Sequence, residues 1–254
     1  MLTRTRPADD DEQGLAALRH AEAAKRRLVF ELGELGLPTD GLSFDLLSSA
    51  AQPVTTGHAD GAVTIDLAEA EDPHRERMRE ELGEPYRTLL GHSRHESGHF
   101  YWTVLAPDET RRERCRRLFG DEREDYQAAL ERHYAEGPPP DWQDRHVSAY
   151  ATMHPAESWA ETFAHLLHMS DTLQTAAAYG VRAAGPDLPA GGAFAAAPRE
   201  GDVSFDELIA DWLALTYALN AINRSMGHDD LYPFVLAPAV VEKLRLVHEL
   251  MGEA

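Results

Sequence analysis

One cysteine in 254 residues, Cys115, is too few for a disulfide framework or a cysteine-built zinc ribbon. Any metal on this chain has to be held by histidine and carboxylate. Long apolar runs are missing too, since no stretch approaches the eighteen residues of a membrane span. The opening segment MLTRTRPADDDEQGL has no apolar core behind its basic residues and turns acidic at once, the reverse of a secretory signal, so a cytoplasmic protein is expected. Positive charge is in deficit as well. A net charge of -20 repels nucleic acid and anionic membrane surfaces, and the basic clusters at 25–27 and 111–117 are short and read as solvated helix faces.

What is present suffices for a core: 43% of the residues are hydrophobic, enough for a chain of this length to fold without staples. Leu15, Leu18, Ala21, Leu28, Leu32 and Leu35 recur at helical spacing until Gly36 and Pro38 end the run. PVTTGHADGAVTIDL follows, with Val63, Ile65 and Leu67 alternating as in a hairpin or small sheet. A helix is predicted from near Pro85, others over 109–119 and 123–134, and one or two more around Pro155, a start or a kink. Residues 183–202, rich in Gly, Pro and Ala, read as a flexible loop and more as a linker than a lid. Ser204 and Glu207 form a capping-box pattern before the next helix, which Gly227 closes, and a final amphipathic helix spans 238–251. The expectation is a partly flexible segment, 1–24, followed by one domain, 25–254, mainly α with a small β element before the histidine-bearing helix.

That helix contains LLGHSRHESGHFYW, in which His95 and His99 lie one turn apart and can each give a nitrogen to one Zn2+. Glu96 is placed to take a proton from a water that attacks a carbonyl. A solvated amphipathic helix could carry the same residues, but Gly98 argues against it, because glycine inside a helix costs about 1 kcal/mol and marks a close approach. A third ligand is sought in HPAESWAETFAHLLH. Glu157 falls in a first turn if Pro155 starts the helix, where the dipole alone favours a carboxylate. Glu161 lacks that reason and stands between Trp159 and Phe163, so it is the preferred ligand, with Glu157 as the alternative or as a hydrogen-bond partner of a ligand imidazole. Tyr150 and His154 are candidates for stabilising an oxyanion. His92, His165 and His168 carry weaker claims, and the position of His58 is not readable.

With these residues in place, the chain resembles the bacterial zinc-binding metallopeptidase family, whose members pair His-Glu-x-x-His with a downstream Trp-Ala-Glu-Thr segment. The resemblance runs through TGHADG, LGEPYRTLLGHSRHESGHFYW, LFGDEREDYQAALERHYAEGPP, FAHLLHMSDTLQTA and LYPFVL. It implies a zincin-like domain with His95 and His99 as metal ligands, Glu96 as catalytic glutamate and Glu161 as third ligand. Many relatives add an N-terminal cysteine-rich ribbon that this chain lacks. The function expected is zinc-dependent hydrolysis of peptide bonds, with one Zn2+ per chain and a peptide or protein as partner. The rivals are a non-peptide amidase or esterase on the same residues, and a non-catalytic binding or regulatory module whose zinc is closed by a fourth ligand such as His92, His154 or His165.

Overall fold

The computed structural model describes residues 3–8, 11–49, 53–70, 88–183, 194–195 and 204–254. They are mainly helical with one four-stranded sheet and one two-stranded pair, in keeping with the periodicity of the sequence. Contacts divide the chain into two compact units, Met1–Ala164 with Leu236–Ala254, and His165–Val235.

In the first unit, β1 (Thr3–Thr5) is followed by α1 (Glu12–Glu34), β2 (Ser43–Leu47), β3 (Gly57–Ala59) and β4 (Ala62–Asp66). β1 and β4 each run parallel to β2, while β3 pairs antiparallel with β4, giving the order β1-β2-β4-β3. Phe44 stands opposite Val63 and Leu46 opposite Ile65, all four buried, so register and core are set together. The β3–β4 hairpin turns at Asp60 and Gly61, both at positive φ, which is why an Asp-Gly pair occupies it. α1 begins at the Asp11 cap, inside the segment expected to be partly flexible. It buries Leu28 and Leu32 and packs on α2 (Leu89–Leu105) through an ion pair of Arg94 with Glu31 at 3.0 Å, both fully shielded from solvent.

Thr88 caps α2 by accepting the Gly91 N–H at 3.0 Å; the start predicted near Pro85 lies outside the described residues. α3 (Glu109–Phe119) matches its predicted span, and α4 (Tyr126–Glu136) starts at the Asp125 cap with Ala129 as its one buried side chain. Pro155 is the first residue of α5 (Pro155–Ala178), a start rather than a kink. α2 and α5 meet at Gly98, where a Cβ would come within 2.9 Å of Ala160 Cα. Trp159 Nε1 donates to Gly98 O at 2.9 Å, and its ring is met edge-on by Trp102 and Phe119.

The second unit takes the rest of α5, the short pair β5 (Arg182–Ala183) and β6 (Phe194–Ala195), and α6 (Phe205–Ser225). The Ser204–Glu207 capping box is formed as predicted. Residues 184–193 and 196–203, most of the expected loop at 183–202, lie outside the described residues. Tyr232 is the hub of this unit: its hydroxyl meets His165 Nδ1 at 2.8 Å, its ring meets Trp212, and Asn220 bonds both its N–H and its C=O.

The last helix, α7 (Pro238–Gly252), belongs to the first unit and is tied to α3 by Arg114 with Glu249 and Glu253. Its Lys243 is buried, donates to Ser158 Oγ at 3.0 Å and lies over the Phe119 ring; burial pulls its pKa down to about 8. The chain's other lysine, Lys25, is buried on α1 against Glu22 and Thr3. Among the described residues no helix is long and apolar enough to cross a membrane.

Gly98→Ala forces a methyl group into the Ala160 backbone, so we expect a loss of about 1–3 kcal/mol. Chemical denaturation measures it, and an unchanged midpoint would mean that the two helices separate without cost.

Candidate metal centre

The close crossing at Gly98 turns the His95–His99 face of α2 toward the first turns of α5. His95 Nε2 lies 2.9 Å from Glu157 Oε2, and His99 Nε2 lies 3.4 Å from Glu157 Oε1. One ligand atom from each of His95, His99 and Glu157 falls within 4.8 Å of the others. Two imidazoles and a carboxylate at this spacing are positioned to hold a metal ion and suit Zn2+.

Glu161 was preferred from the sequence as the third ligand, with Glu157 behind it. The group that the structure brings together contains Glu157. Glu161 stands on the far side of the His95 ring, where its Oε1 is 2.6 Å from Nδ1, while its Oε2 accepts the Ser148 hydroxyl at 2.5 Å. The argument from burial runs the other way in space, because Glu157 is 2% exposed and the Glu161 side chain 20%. A first-turn carboxylate would ordinarily be solvated; here the helix crossing buries it.

The charges are strongly coupled. Burial works against a charged His95 ring, but hydrogen bonds to Glu157 and Glu161 outweigh it and raise the His95 pKa well above the ordinary 6.5. Burial would raise Glu157 as well, yet the hydrogen bonds from His95 and His99 hold it far below the usual carboxylate range. Glu96, next to the ligand face, is raised, chiefly by burial and against the pull of His95 and His99.

Tyr150 lies with its ring 6.0 Å from that of His95. His154 has both ring nitrogens engaged, Nε2 with Glu124 O and Nδ1 with the Ala156 N–H, so it serves the start of α5. His92 turns to Glu69 at 3.5 Å, and His165 and His168 sit among the rings around Tyr232. His58 stands on β3, accepts the Gly61 N–H on Nε2, and has its pKa lowered by burial and then by the charge of His99. Two residues that sequence reasoning missed complete the surroundings: Ser148, in an irregular segment with no periodic signal, and Tyr126, whose hydroxyl donates to Glu157 Oε1 at 3.1 Å.

Comparison with known proteins agrees with this geometry. The family model described as "Putative zinc-binding metallo-peptidase" matches residues 14–250. The uncharacterized proteins Rv2568c of Mycobacterium tuberculosis and Mb2598c of Mycobacterium bovis are each 52% identical over 262 residues, an alignment covering all of this chain and 75% of the relative. No solved structure matches the chain significantly.

His95 has to give up a proton before it can offer a nitrogen to a metal. Its pKa is raised in the fold, so the carboxylate–imidazolium bridge stabilises the protein fully below pH 6.5 and loses that contribution as pH rises through the folded value. Zinc affinity should therefore increase with pH above 6.5, and uptake at neutral pH should release about one proton per chain. Titration calorimetry in buffers of different ionisation heat measures this, and zero release would mean that His95 is neutral beforehand.

Proposed function

The chain belongs to the zinc-binding metallopeptidase family, and from that premise we propose that it is a zinc-dependent hydrolase of peptide bonds, with Glu96 as general base. The observation that carries the proposal is the convergence of His95, His99 and Glu157 beside a glutamate that metal holding does not require. When bound, one Zn2+ per chain supplies Lewis acidity, which polarises a carbonyl and brings the pKa of water toward neutrality.

The chain's own residues do the rest. Glu96, made a stronger proton acceptor by burial, takes the proton of the attacking water and returns it to the leaving amine. Glu161 accepts from His95 Nδ1, fixing the tautomer that leaves Nε2 free to ligate, and the Ser148 hydroxyl holds Glu161 in turn. Tyr150 is the better placed of the two oxyanion candidates, since both nitrogens of His154 are engaged. A peptide substrate is favoured by β3, which among the described strands is paired on one side only, packs against α2 and offers an edge to an extended backbone.

An open site is favoured over a closed structural one. The three histidines considered as a fourth ligand have other neighbours: His92 faces Glu69 at 3.5 Å, His154 bonds backbone groups and His165 bonds Tyr232. The net charge of -20 disfavours nucleic acid and anionic membranes, so we propose peptides or proteins as its partners and the cytoplasm as its location.

Elemental analysis should find about one zinc per chain, lost in His95→Ala and Glu157→Ala, with Glu161→Ala weakened about 10- to 100-fold. Glu96→Gln should keep its zinc and lose about 100- to 10,000-fold in peptide hydrolysis. Zinc retained with hydrolysis intact in that variant would remove Glu96 from the mechanism; no zinc in the wild type would remove the ligand set.

A further inference from the structure

Glu157 is 2% exposed, and a carboxylate so far from water needs protein donors for its oxygens. The structure supplies two, His95 Nε2 to one oxygen at 2.9 Å and the Tyr126 hydroxyl to the other at 3.1 Å, and sets His99 Nε2 3.4 Å from that second oxygen. A ring nitrogen carries a proton or a metal, never both. With a metal on the two imidazoles, His95 ceases to donate to Glu157, and of the two donors Tyr126 is left.

We propose that Tyr126 is a positioning residue of the metal centre, whose hydroxyl holds Glu157 in its ligating orientation and thereby couples α4 to metal retention; this rests on His95, His99 and Glu157 being the ligand set. The placement of α4 supports it. This helix buries only Ala129, and Tyr126 itself is 43% exposed, yet its hydroxyl reaches the buried carboxylate. The Tyr126 ring packs 5.2 Å from that of His154, the residue that accepts the Ala156 N–H at the first turn of α5. Tyr126 thus touches both Glu157 and the start of the helix that carries it. Tyr150 stands beside the same cluster, its ring 6.0 Å from that of His95, with no hydrogen bond to Glu157 among the contacts of the described residues. His133, one turn from the C-terminal end of α4, adds an edge-on contact with the Tyr150 ring at 6.0 Å.

By linkage the coupling runs both ways: whatever holds α4 down strengthens metal binding, and metal strengthens the docking of α4.

The test compares zinc dissociation constants of the wild type, Tyr126→Phe and Tyr150→Phe full chains, by competition with a chromophoric chelator. Tyr126→Phe keeps the ring on His154 and removes only the hydroxyl. Its Kd is expected to weaken about 10- to 100-fold, while Tyr150→Phe stays within about twofold of the wild type. The melting temperature of metal-free Tyr126→Phe should match the wild type, and the visible spectrum of its Co2+ form should differ, a signature that lost packing alone would not produce. Amide exchange in α4 should slow on zinc addition in the wild type and not in Tyr126→Phe. A wild type that binds zinc beside a Tyr126→Phe chain of equal Kd and equal Co2+ spectrum overturns this proposal alone. Equal weakening in Tyr150→Phe overturns the assignment to the Tyr126–Glu157 contact. A wild type that takes up no zinc overturns the ligand set as well.

Discussion

The approach of α2 to α5 at Gly98 is the constraint on which the rest of this structure depends. With hydrogen in place of a side chain, the α2 backbone comes so near Ala160 that an added Cβ would overlap its Cα. The approach lets Trp159 donate to the Gly98 carbonyl from a fully buried ring. Only at this separation can short ligand side chains from two helices reach one point, His95 and His99 from one side and Glu157 from the other. The sheet and α1 serve the same geometry from behind, with Arg94 and Glu31 fixing α2 through a charge pair that would be costly to break in such burial.

The site concentrates charge that water would normally dissipate. Three glutamates and two histidines crowd together, and within the cluster His95 and Glu96 are pushed toward holding a proton while Glu157 is pushed away from it. His95 sits between two carboxylates, so its ring serves opposite neighbours through opposite nitrogens. That arrangement is the protonic counterpart of a metal site: a divalent cation held by Nε2 would compete with the proton there, while Glu161 meets the ring at Nδ1.

Local order was legible where the cause is local. Asp-Gly specifies its hairpin turn, Ser204 with Glu207 specifies a helix start, and Pro155 marks the first residue of α5. Gly98 also betrayed itself, since glycine inside a helix needs a reason. Contacts made across space were not legible. β2 is five residues long and finds its place through parallel neighbours distant in sequence, so SFDLL carries no hairpin signal. The roles of Glu157 and Glu161 were weighed by position within one helix, whereas the crossing with another helix decides which carboxylate is buried. Ser148 and Tyr126 reach the site from 13 and 31 residues away from the glutamates they contact, spacings that no helical or strand period reveals.

The two lysines carry one more implication. Arginine supplies nearly all the positive charge, and both ε-amines, on Lys25 and Lys243, are folded away from solvent. Lys243 has no carboxylate beside its amine among the contacts described, only a hydroxyl, an imidazole and an aromatic face, and burial moves it toward the neutral, nucleophilic form. Acylating agents, reducing sugars and amine-directed crosslinkers therefore meet a surface without lysine. The rate at which such reagents modify these side chains is a clock for the opening of the fold itself, with Lys25 timing the release of α1 and Lys243 that of the C-terminal helix.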